Sequence, residues 1–237
     1  MLFKKYNNKI KGDKMEYHKI NGLYKRYRKD LHKEVELPKG TSYGDFIEGE
    51  FSKEEFEYLF NNQWVWSEKL DGTNIRIYLW FENEDEEWFT IKGRTDRAIL
   101  PKPLEEWIKD YLRNNYTLLK DTFKDSNVIL YGEGVGEKIQ KVGHYYGEQH
   151  FKLFDIFIGG YYLEKDNVRL LGEKLKLDTP KYWYGTIKEA IDRVKRLPKS
   201  YFGDFTIEGY VGQPLVRLLN TNKERIITKI KVVDFVK

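Results

Sequence analysis

The stretch Trp64–Phe81 constrains the fold of this chain more than any other, because it combines two strand patterns with an Asp-Gly pair between them. Trp64–Lys69 is an apolar strand pattern, Asp71-Gly72 is typical of a tight turn, and Asn74–Phe81 is the pattern of a returning strand. A β-hairpin of this kind places Lys69 at the end of its first strand. The sequence therefore predicts a sheet-rich fold with a lysine at the mouth of a sheet.

Lys69 has the position expected of a lysine nucleophile. An amine attacks phosphorus only when it is neutral, a state that burial and neighbouring cations favour. Near the end of the chain, the alternation of residues 224–235 puts Lys229 and Lys231 on one face of a strand and Ile230 on the other. On a solvated edge strand this lysine pair would serve only solubility. Beside an activated lysine, the same pair is typical of a polyphosphate clamp.

Six short motifs occur along the chain in a fixed order. They are Lys69-Leu-Asp71-Gly72-Thr-Asn74, Gly93-Arg94-Thr95-Asp96, Leu130-Tyr-Gly132-Glu133-Gly134, Phe151-Lys-Leu-Phe154-Asp155-Ile156, Ile207-Glu208-Gly209-Tyr-Val211 and Lys229-Ile-Lys231. With this set the chain resembles the covalent nucleotidyltransferases, which comprise the ATP-dependent RNA and DNA ligases and the mRNA capping guanylyltransferases. One Lys-x-Asp-Gly arises by chance, whereas six motifs in the family's order are specific.

Two details bring the chain closer to the RNA ligases within this superfamily. Asn74 occupies a position where DNA ligases usually carry arginine, and Ile139-Gln140-Lys141 follows shortly after Glu133. Both features resemble the RNA ligases that are similar to the second, nick-sealing RNA ligase of T-even phages.

The resemblance implies a role for each matching position. Lys69 would be the nucleophile, and Lys229 and Lys231 would hold the α-phosphate of ATP. A divalent metal, Mg²⁺ or Mn²⁺, would be positioned by Glu208 and Asp155, and RNA would be bound by Arg94 and Lys141. The nucleotide would be contacted by Glu68, Asp71, Gly72, Asn74, Glu133 and Phe154, with Glu133 on the ribose and Phe154 stacked on the base.

The implied activity is that of an ATP-dependent RNA ligase, for example in RNA repair. Such an enzyme joins RNA 5′-phosphate and 3′-hydroxyl ends through lysyl-AMP and adenylylated-RNA intermediates. The alternatives are a non-ligating module that binds nucleotide and RNA and acts with a partner, a capping guanylyltransferase, or a DNA ligase. Retention of Lys69 together with both clamp lysines favours the ligase, because a module that only binds has no chemical need for all three.

Strand patterns outnumber helical patterns, and short loops between strands indicate antiparallel pairing. We therefore predict an α+β fold with antiparallel β-sheets and flanking helices, and the resemblance implies the same fold around a nucleotide cleft, akin to the ATP-grasp enzymes. Helices are predicted at 53–60, capped by Ser52, at 104–116, and at 187–197, which opens with the capping box Thr186-x-x-Glu189. Strands are predicted at 64–70, 74–81, 88–93, 127–132, 151–163, 205–211, 215–219 and 225–235.

The length of 237 residues is sufficient for one substantial core, so we expect one nucleotidyltransferase domain over residues 1–237. The sequence ends six residues beyond Lys231, so no C-terminal OB-fold or other accessory domain is expected in it. Another part of the chain, or a separate accessory protein, would then have to bind the RNA.

Positive charge is concentrated in residues 1–33, although the whole chain has a net charge of only +4. This stretch holds eleven lysines and arginines against three acids, with four tyrosines among them. Basic side chains bind phosphates and aromatic rings stack on bases, so we predict a basic N-terminal extension that binds RNA. The alternative is a solvated segment without a ligand.

Several classes of protein are disfavoured by composition. The chain contains no cysteine, which excludes disulfides and cysteine-based zinc sites. No apolar run reaches the length of a membrane span, and the lysine-rich start lacks the apolar core of a signal peptide. We therefore expect a protein of the cytoplasm, or of the host cell's cytoplasm if it is viral, without a membrane partner.

Overall fold

The structure is a computed structural model that describes residues 16–31, 37–81 and 88–236. The strands are β1 (Asn21–Gly22), β2 (Tyr24–Arg26), β3 (Phe46–Phe51), β4 (Trp64–Lys69), β5 (Thr73–Leu79), β6 (Phe89–Lys92), β7 (Val128–Val135), β8 (His150–Ile158), β9 (Tyr161–Tyr162), β10 (Tyr182–Gly185), β11 (Gly209–Pro214) and β12 (Thr228–Lys231). The α-helices are α1 (Glu54–Tyr58), α2 (Lys102–Asn114), α3 (Tyr116–Phe123), α4 (Lys165–Leu175), α5 (Ile187–Lys195) and α6 (Val232–Phe235).

The chain forms two compact units, each built from separate stretches of sequence. Unit 1 comprises residues up to His18, Leu70–Pro180 and Tyr201–Asp204. Unit 2 comprises Lys19–Lys69, Lys181–Ser200 and the chain from Phe205 onward. The α+β prediction is confirmed, because both units combine sheets with helices.

Unit 1 contains an antiparallel sheet of strand order β6-β5-β7-β8-β9. One face of this sheet is apolar and packs with α2, whose Leu104, Ile108 and Leu112 lie on one side of the helix. Because side chains alternate along a strand, the residues between the apolar ones face the other way. The apolar face consists of Ile75, Ile77, Leu79, Val128, Leu130, Phe151, Leu153 and Ile156. The opposite face includes Asn74, Arg76, Tyr131, Glu133, Lys152 and Asp155.

A β-bulge interrupts β8 at Phe154. Tyr131 pairs with Asp155 whereas the next residue, Gly132, pairs with Leu153, so Phe154 is an extra residue on its strand. Bulges redirect side chains and often occur beside functional sites. The bulge explains how Phe154 and Asp155, which are adjacent in sequence, both lie on the polar side of the sheet.

Unit 2 contains a five-stranded sheet of order β1-β12-β11-β4-β10 and a two-stranded sheet of β2 and β3. The pairs in the larger sheet are antiparallel except for β1 with β12, which is parallel. Because β12 lies between β1 and β11, the interpretation of Lys229 and Lys231 as solubility charges on a solvated edge strand is wrong. The core beneath this sheet includes Trp64, Trp66 and Ile230, against which α5 packs.

The predicted hairpin at Trp64–Phe81 is wrong, although both of its strands exist. β4 pairs with β10 and β11 in unit 2, whereas β5 pairs with β6 and β7 in unit 1. Gly72 does not adopt the positive φ of a type I′ turn. A Cβ at Gly72 would overlap the carbonyl oxygen of Gly134, so close backbone approach within unit 1 explains the glycine.

The two helices with a clear amphipathic pattern were predicted correctly. α2 and α5 confirm the helices predicted at 104–116 and 187–197, and both hydrogen bonds of the Thr186–Glu189 capping box are present. The predicted helix at 53–60 exists as α1, but its N-cap is Lys53 and not Ser52. The Ser52 hydroxyl donates instead to the Gly22 carbonyl.

Three strand predictions near the C-terminus need correction. The pattern at 225–235 is a strand only over Thr228–Lys231, after which α6 begins. The strand predicted at 205–211 begins only at Gly209, and 215–219 forms no named strand, only a bridge from Leu219 to Arg225.

Strand β10 and helices α3 and α4 were not predicted. In α4 the obstacle was Gly172, because a glycine inside a helix costs about 1 kcal/mol relative to alanine. A Cβ at Gly172 would lie 2.6 Å from Thr179 Cγ2, so tight packing explains the glycine.

Residues 21, 22 and 24–26 of the predicted N-terminal extension form strands of unit 2, whereas RNA binding by this segment stays a prediction. β1 pairs with β12, and β2 pairs with β3. Residues 1–15, 32 and 33 of the predicted extension lie outside the described residues. Within the parts of the chain that the structure describes, no helix has the length and apolar character needed to cross a membrane.

Candidate active site

Three neighbouring strands of unit 2 bring Lys69 and Lys231 into one row. Gly209 in β11 pairs with Lys69 in β4 on one side and with Lys231 in β12 on the other. Adjacent strands lie about 4.8 Å apart, so the two lysine backbones are separated by roughly 10 Å. Lys69 is the last residue of β4, as the sequence predicted.

Gly209 occupies the middle of this row because no side chain fits there. A Cβ at Gly209 would overlap the carbonyl oxygen of Ile230 and lie 2.8 Å from Lys231 Cα. The close approach of β11 to β12 therefore depends on a glycine. The backbone of the preceding residue, Glu208, is held in place as well, because its carbonyl oxygen accepts a hydrogen bond from the Val232 N–H at 2.9 Å.

The Glu208 carboxylate joins the two lysines. One oxygen forms a short ion pair with Lys69 Nζ, and the other lies 2.6 Å from Lys231 Nζ. The Glu208 side chain is only 16% exposed. Burying a carboxylate is costly unless it is paired, and the ammonium groups of Lys69 and Lys231 supply the partners of Glu208.

Burial and neighbouring charges shift the pKa values of Glu208 and Lys229. Burial raises the pKa of Glu208, but the ammonium groups of Lys69 and Lys231 outweigh burial, so its pKa is lowered. The pKa of Lys229 is also lowered, chiefly by burial and then by the positive charges of Lys231 and Lys69. The predicted concentration of positive charge around Lys69 is therefore present within unit 2.

Glu68 projects away from this cluster. It precedes Lys69 on β4, so the two side chains leave the sheet on opposite faces. Glu68 is 7% exposed, lies opposite Tyr210, and accepts a hydrogen bond from Ser200 Oγ at 2.6 Å. A contact of Glu68 with the nucleotide stays a prediction.

Unit 1 gathers four of the predicted ligand-binding residues on the polar face of its sheet. Asn74 and Glu133 are cross-strand partners. Tyr17 covers Phe154 and Asp155: its ring centroid lies 5.2 Å from that of Phe154, and its hydroxyl donates to Asp155 at 3.0 Å. Tyr17 belongs to the predicted N-terminal extension, and its packing on Phe154 and Asp155 was not predicted.

The remaining predicted residues of unit 1 lie at chain segments beside the sheet. Asp71 and Gly72 are half-buried, and Gln140 Nε2 donates to the Gly72 carbonyl at 3.2 Å. Arg94 and Lys141 are exposed, which is the state expected of side chains that bind RNA phosphates.

Arg76 is a buried arginine that sequence analysis missed. Its side chain has no solvent exposure, and its guanidinium donates to the Gly93 carbonyl at 2.8 Å and to the Asp96 carboxylate at 2.9 Å. These bonds hold both ends of the short segment that carries Arg94. In the alternating pattern Asn74-Ile-Arg-Ile, Arg76 is at a polar position, so the sequence gives no sign of its burial.

The family model described as RNA ligase matches residues 62–231, which is more than half of the chain. The chain belongs to the RNA ligase family. The matched range contains all six motifs that carried the resemblance, so the sequence-based assignment to a nucleotidyltransferase of RNA ligase type is confirmed. The comparison with curated proteins gave no match for this RNA ligase family member.

Solved structures of an RNA ligase from Naegleria gruberi share the fold of this RNA ligase family member. A mutant with ATP and Mn is 18% identical, with a TM-score of 0.55, and the match covers 91% of this chain and 59% of that one. A second mutant, with AMP and Mn, is 17% identical with a TM-score of 0.53, and the match covers 91% of this chain and 57% of that one. The enzyme with PPi is 20% identical with a TM-score of 0.54, and the match covers 83% of this chain and 61% of that one. The chain thus spans roughly three fifths of these structures.

Metal binding by this RNA ligase family member stays a prediction. The described residues contain no cluster of three or more His, Cys, Asp or Glu side chains able to hold a metal. Mg²⁺ is commonly held by one or two carboxylates together with substrate phosphates. Glu208, a carboxylate paired with Lys69 and Lys231, fits such a shared site, in which the nucleotide would supply further ligands.

We expect the Glu208→Gln variant to lose stability in a pH-dependent way. The lowered pKa of Glu208 means that its charge stabilises the fold at pH values above the ordinary 4.5, and that this contribution disappears as pH falls through the lower, folded-state pKa. At neutral pH the variant should unfold more easily by on the order of 1 kcal/mol. Urea unfolding of both proteins from pH 3 to 8 measures this difference, and a gap independent of pH would contradict the role of the charge.

Replacing Lys229 with methionine should stabilise the ligand-free protein while impairing activity. The folded-state pKa of Lys229 lies below the ordinary 10.5, so stability rises with pH between these two values, where the unfolded chain holds the extra proton. The methionine variant lacks this rise of stability with pH, and its free energy of unfolding should be higher by about 0.5 kcal/mol at neutral pH. Thermal unfolding between pH 7 and 11 tests this, and Lys223→Met, an exposed lysine, is the matched control.

Proposed function

We propose that this protein is an ATP-dependent RNA ligase that joins 5′-phosphate and 3′-hydroxyl ends through lysyl-AMP and adenylylated-RNA intermediates. The observation that carries the proposal is the cluster of Lys69, Glu208, Lys229 and Lys231 on neighbouring strands of unit 2. Membership of the RNA ligase family supports the choice of RNA as substrate.

In the first step, Lys69 Nζ attacks the α-phosphorus of ATP. The N–P bond forms, the bond from the α-phosphorus to the bridging oxygen of the β-phosphate breaks, and pyrophosphate leaves. The amine loses its proton to solvent, because the lowered pKa of Glu208 makes this carboxylate a weak base. Alignment and charge neutralisation supply most of the catalysis in such phosphoryl-type exchanges.

Glu208 has a different part in the ligand-free protein, where it binds Lys69 as an ammonium ion. A triphosphate competes with Glu208 for the lysine charges. Lys229 and Lys231 then bind the α-phosphate, and Lys69 is released from its ion pair for attack. A divalent metal held by Glu208 and phosphate oxygens would neutralise further charge on the nucleotide.

In the later steps, AMP passes to an RNA 5′-phosphate and is then displaced by a 3′-hydroxyl. The N–P bond to Lys69 breaks as a P–O–P bond to the RNA forms, and attack of the hydroxyl oxygen releases AMP as the new phosphodiester forms. We propose that Glu133 binds the ribose, that Phe154 stacks on the base, and that Arg94 and Lys141 bind RNA. Asn74, Asp71 and Gly72 would line the nucleotide site.

The decisive experiment is intact-mass analysis and gel labelling after incubation with Mg²⁺ and α-labelled ATP, with GTP in parallel. We expect a stable gain of one AMP that added pyrophosphate reverses, followed by sealing of nicked or single-stranded RNA with a 5′-phosphate. A GMP adduct would identify a guanylyltransferase instead. An AMP adduct that seals only nicked DNA would identify a DNA ligase. No adduct with either nucleotide would favour a binding module that acts with an accessory protein.

A further inference from the structure

A cavity of about 650 Å³ lies in unit 2 next to Lys229. This volume is within the range of about 300–1,000 Å³ typical of small-ligand sites. Five basic side chains and one acidic side chain line the cavity, in addition to apolar and neutral residues. The basic residues are Lys19, Lys25, Arg26, Arg28 and Lys229, and the acidic residue is Glu50. A concave site with this charge is suited to a compact, multiply charged anion.

Arg26 is a cation of the cavity that protein contacts hold in place. Its guanidinium forms an ion pair with Asp234 at 2.6 Å and donates to the Gly44 carbonyl at 2.7 Å. These two contacts orient the planar group before any ligand binds. A fixed guanidinium matches phosphate oxygens well and loses little conformational entropy on binding them.

Lys229 connects the cavity with the lysine cluster of the active site. It lines the cavity and pairs in the sheet with Gly22, another residue of the cavity wall. Burial, then Lys231 and Lys69, and finally Arg26 lower the pKa of Lys229. Like charges from the active site and from the cavity therefore act on one ammonium group, and an anion that spans both would relieve their repulsion.

We propose that this cavity binds the β- and γ-phosphates of the nucleoside triphosphate and holds the pyrophosphate that leaves. The proposal rests on the proposed function, in which the α-phosphate lies among Lys69, Lys229 and Lys231. The triphosphate continues from the α-phosphate past Lys229 into the cavity. The strands β1 and β2 thereby contribute to the first chemical step and not only to the fold.

The same cations could instead contact the phosphates of RNA. A polyphosphate is favoured because its charges are confined to one short group, which matches cations gathered around a single cavity. RNA spreads one charge per nucleotide along an extended strand and is usually bound by an open basic surface. Lys229, shared with the site of the α-phosphate, further favours the triphosphate.

The binding test uses inorganic pyrophosphate and the unreacted protein in isothermal titration calorimetry. The double variant Lys19→Ala/Arg28→Ala removes two exposed cations of the cavity. The matched control, Lys39→Ala/Lys188→Ala, removes two exposed cations that do not line it. We expect roughly tenfold or greater weakening in the first variant and an unchanged affinity in the control. Equal affinity in both variants, or no binding by the native protein, would overturn the proposal.

The kinetic test starts from protein already carrying lysyl-AMP and separates pyrophosphate from RNA. Added pyrophosphate re-forms ATP by attack on the phosphorus of lysyl-AMP, which frees Lys69. The cavity variant should need about tenfold more pyrophosphate for this reversal, whereas its transfer of AMP to 5′-phosphate RNA should match the control. Impaired transfer with normal reversal would reject the pyrophosphate site in favour of an RNA site. If the native protein forms no adduct, the proposed function fails, and the calorimetry still decides whether the cavity binds pyrophosphate.

Discussion

Replacing Lys69 with alanine is expected to abolish formation of the AMP adduct, a loss of at least about a thousandfold in the rate of self-adenylation. The amine is the atom that bonds to phosphorus, and no neighbouring lysine can take its place without moving a strand. Lys231 lies two strands away in the same row, with its backbone held by pairing to Gly209. Intact mass after incubation with Mg²⁺ and ATP measures the adduct.

Lys69→Arg is the informative companion of this variant. Arginine keeps the positive charge and can keep the ion pair with Glu208, but a guanidinium stays protonated and cannot act as the nucleophile. We expect the arginine variant to fold with native stability and to form no adduct. Adduct formation by either variant would place the nucleophile at another residue.

Gly209→Ala is expected to impair adenylation on the order of a hundredfold without altering any reactive side chain. The added methyl group meets backbone atoms of Ile230 and Lys231, which cannot rotate away as a side chain could. β12 must then move relative to β11, and Lys231 moves with it. Forced overpacking of this kind also costs about 1–3 kcal/mol of stability.

The control for the stability effect of Gly209→Ala is Gly22→Ala in β1, on the other side of β12. A Cβ at Gly22 would meet only the Arg26 side chain, at 3.9 Å, which is an ordinary contact. Urea unfolding should therefore find the Gly22 variant as stable as the native protein. Native adenylation by the Gly209 variant would show that the spacing of Lys69, Glu208 and Lys231 is less critical than we infer.

The residues that the motifs single out in unit 2 lie together in the structure, but how they are joined was not predictable. Alternation alone placed Lys229 and Lys231 on one face of a strand. The pairing of Glu208 with both Lys69 and Lys231 could not be derived, because it depends on which strands are neighbours. Arg76 and Tyr17 were missed for the same reason: their partners are distant in sequence.

The sequence by itself determined the local features of this protein: the motifs, the strong amphipathic helices, the Thr186 capping box and the position of Lys69 at the end of a strand. These depend on residue types and short spacings, which act within a few residues of the chain. Only the tertiary structure decided that β4 and β5 belong to different sheets and that β12 is an interior strand. It also decided that a glycine stands between Lys69 and Lys231. The reason is physical, since strand pairing is decided by burial and close backbone approach between distant segments, and these contacts leave no periodic signal in either segment alone.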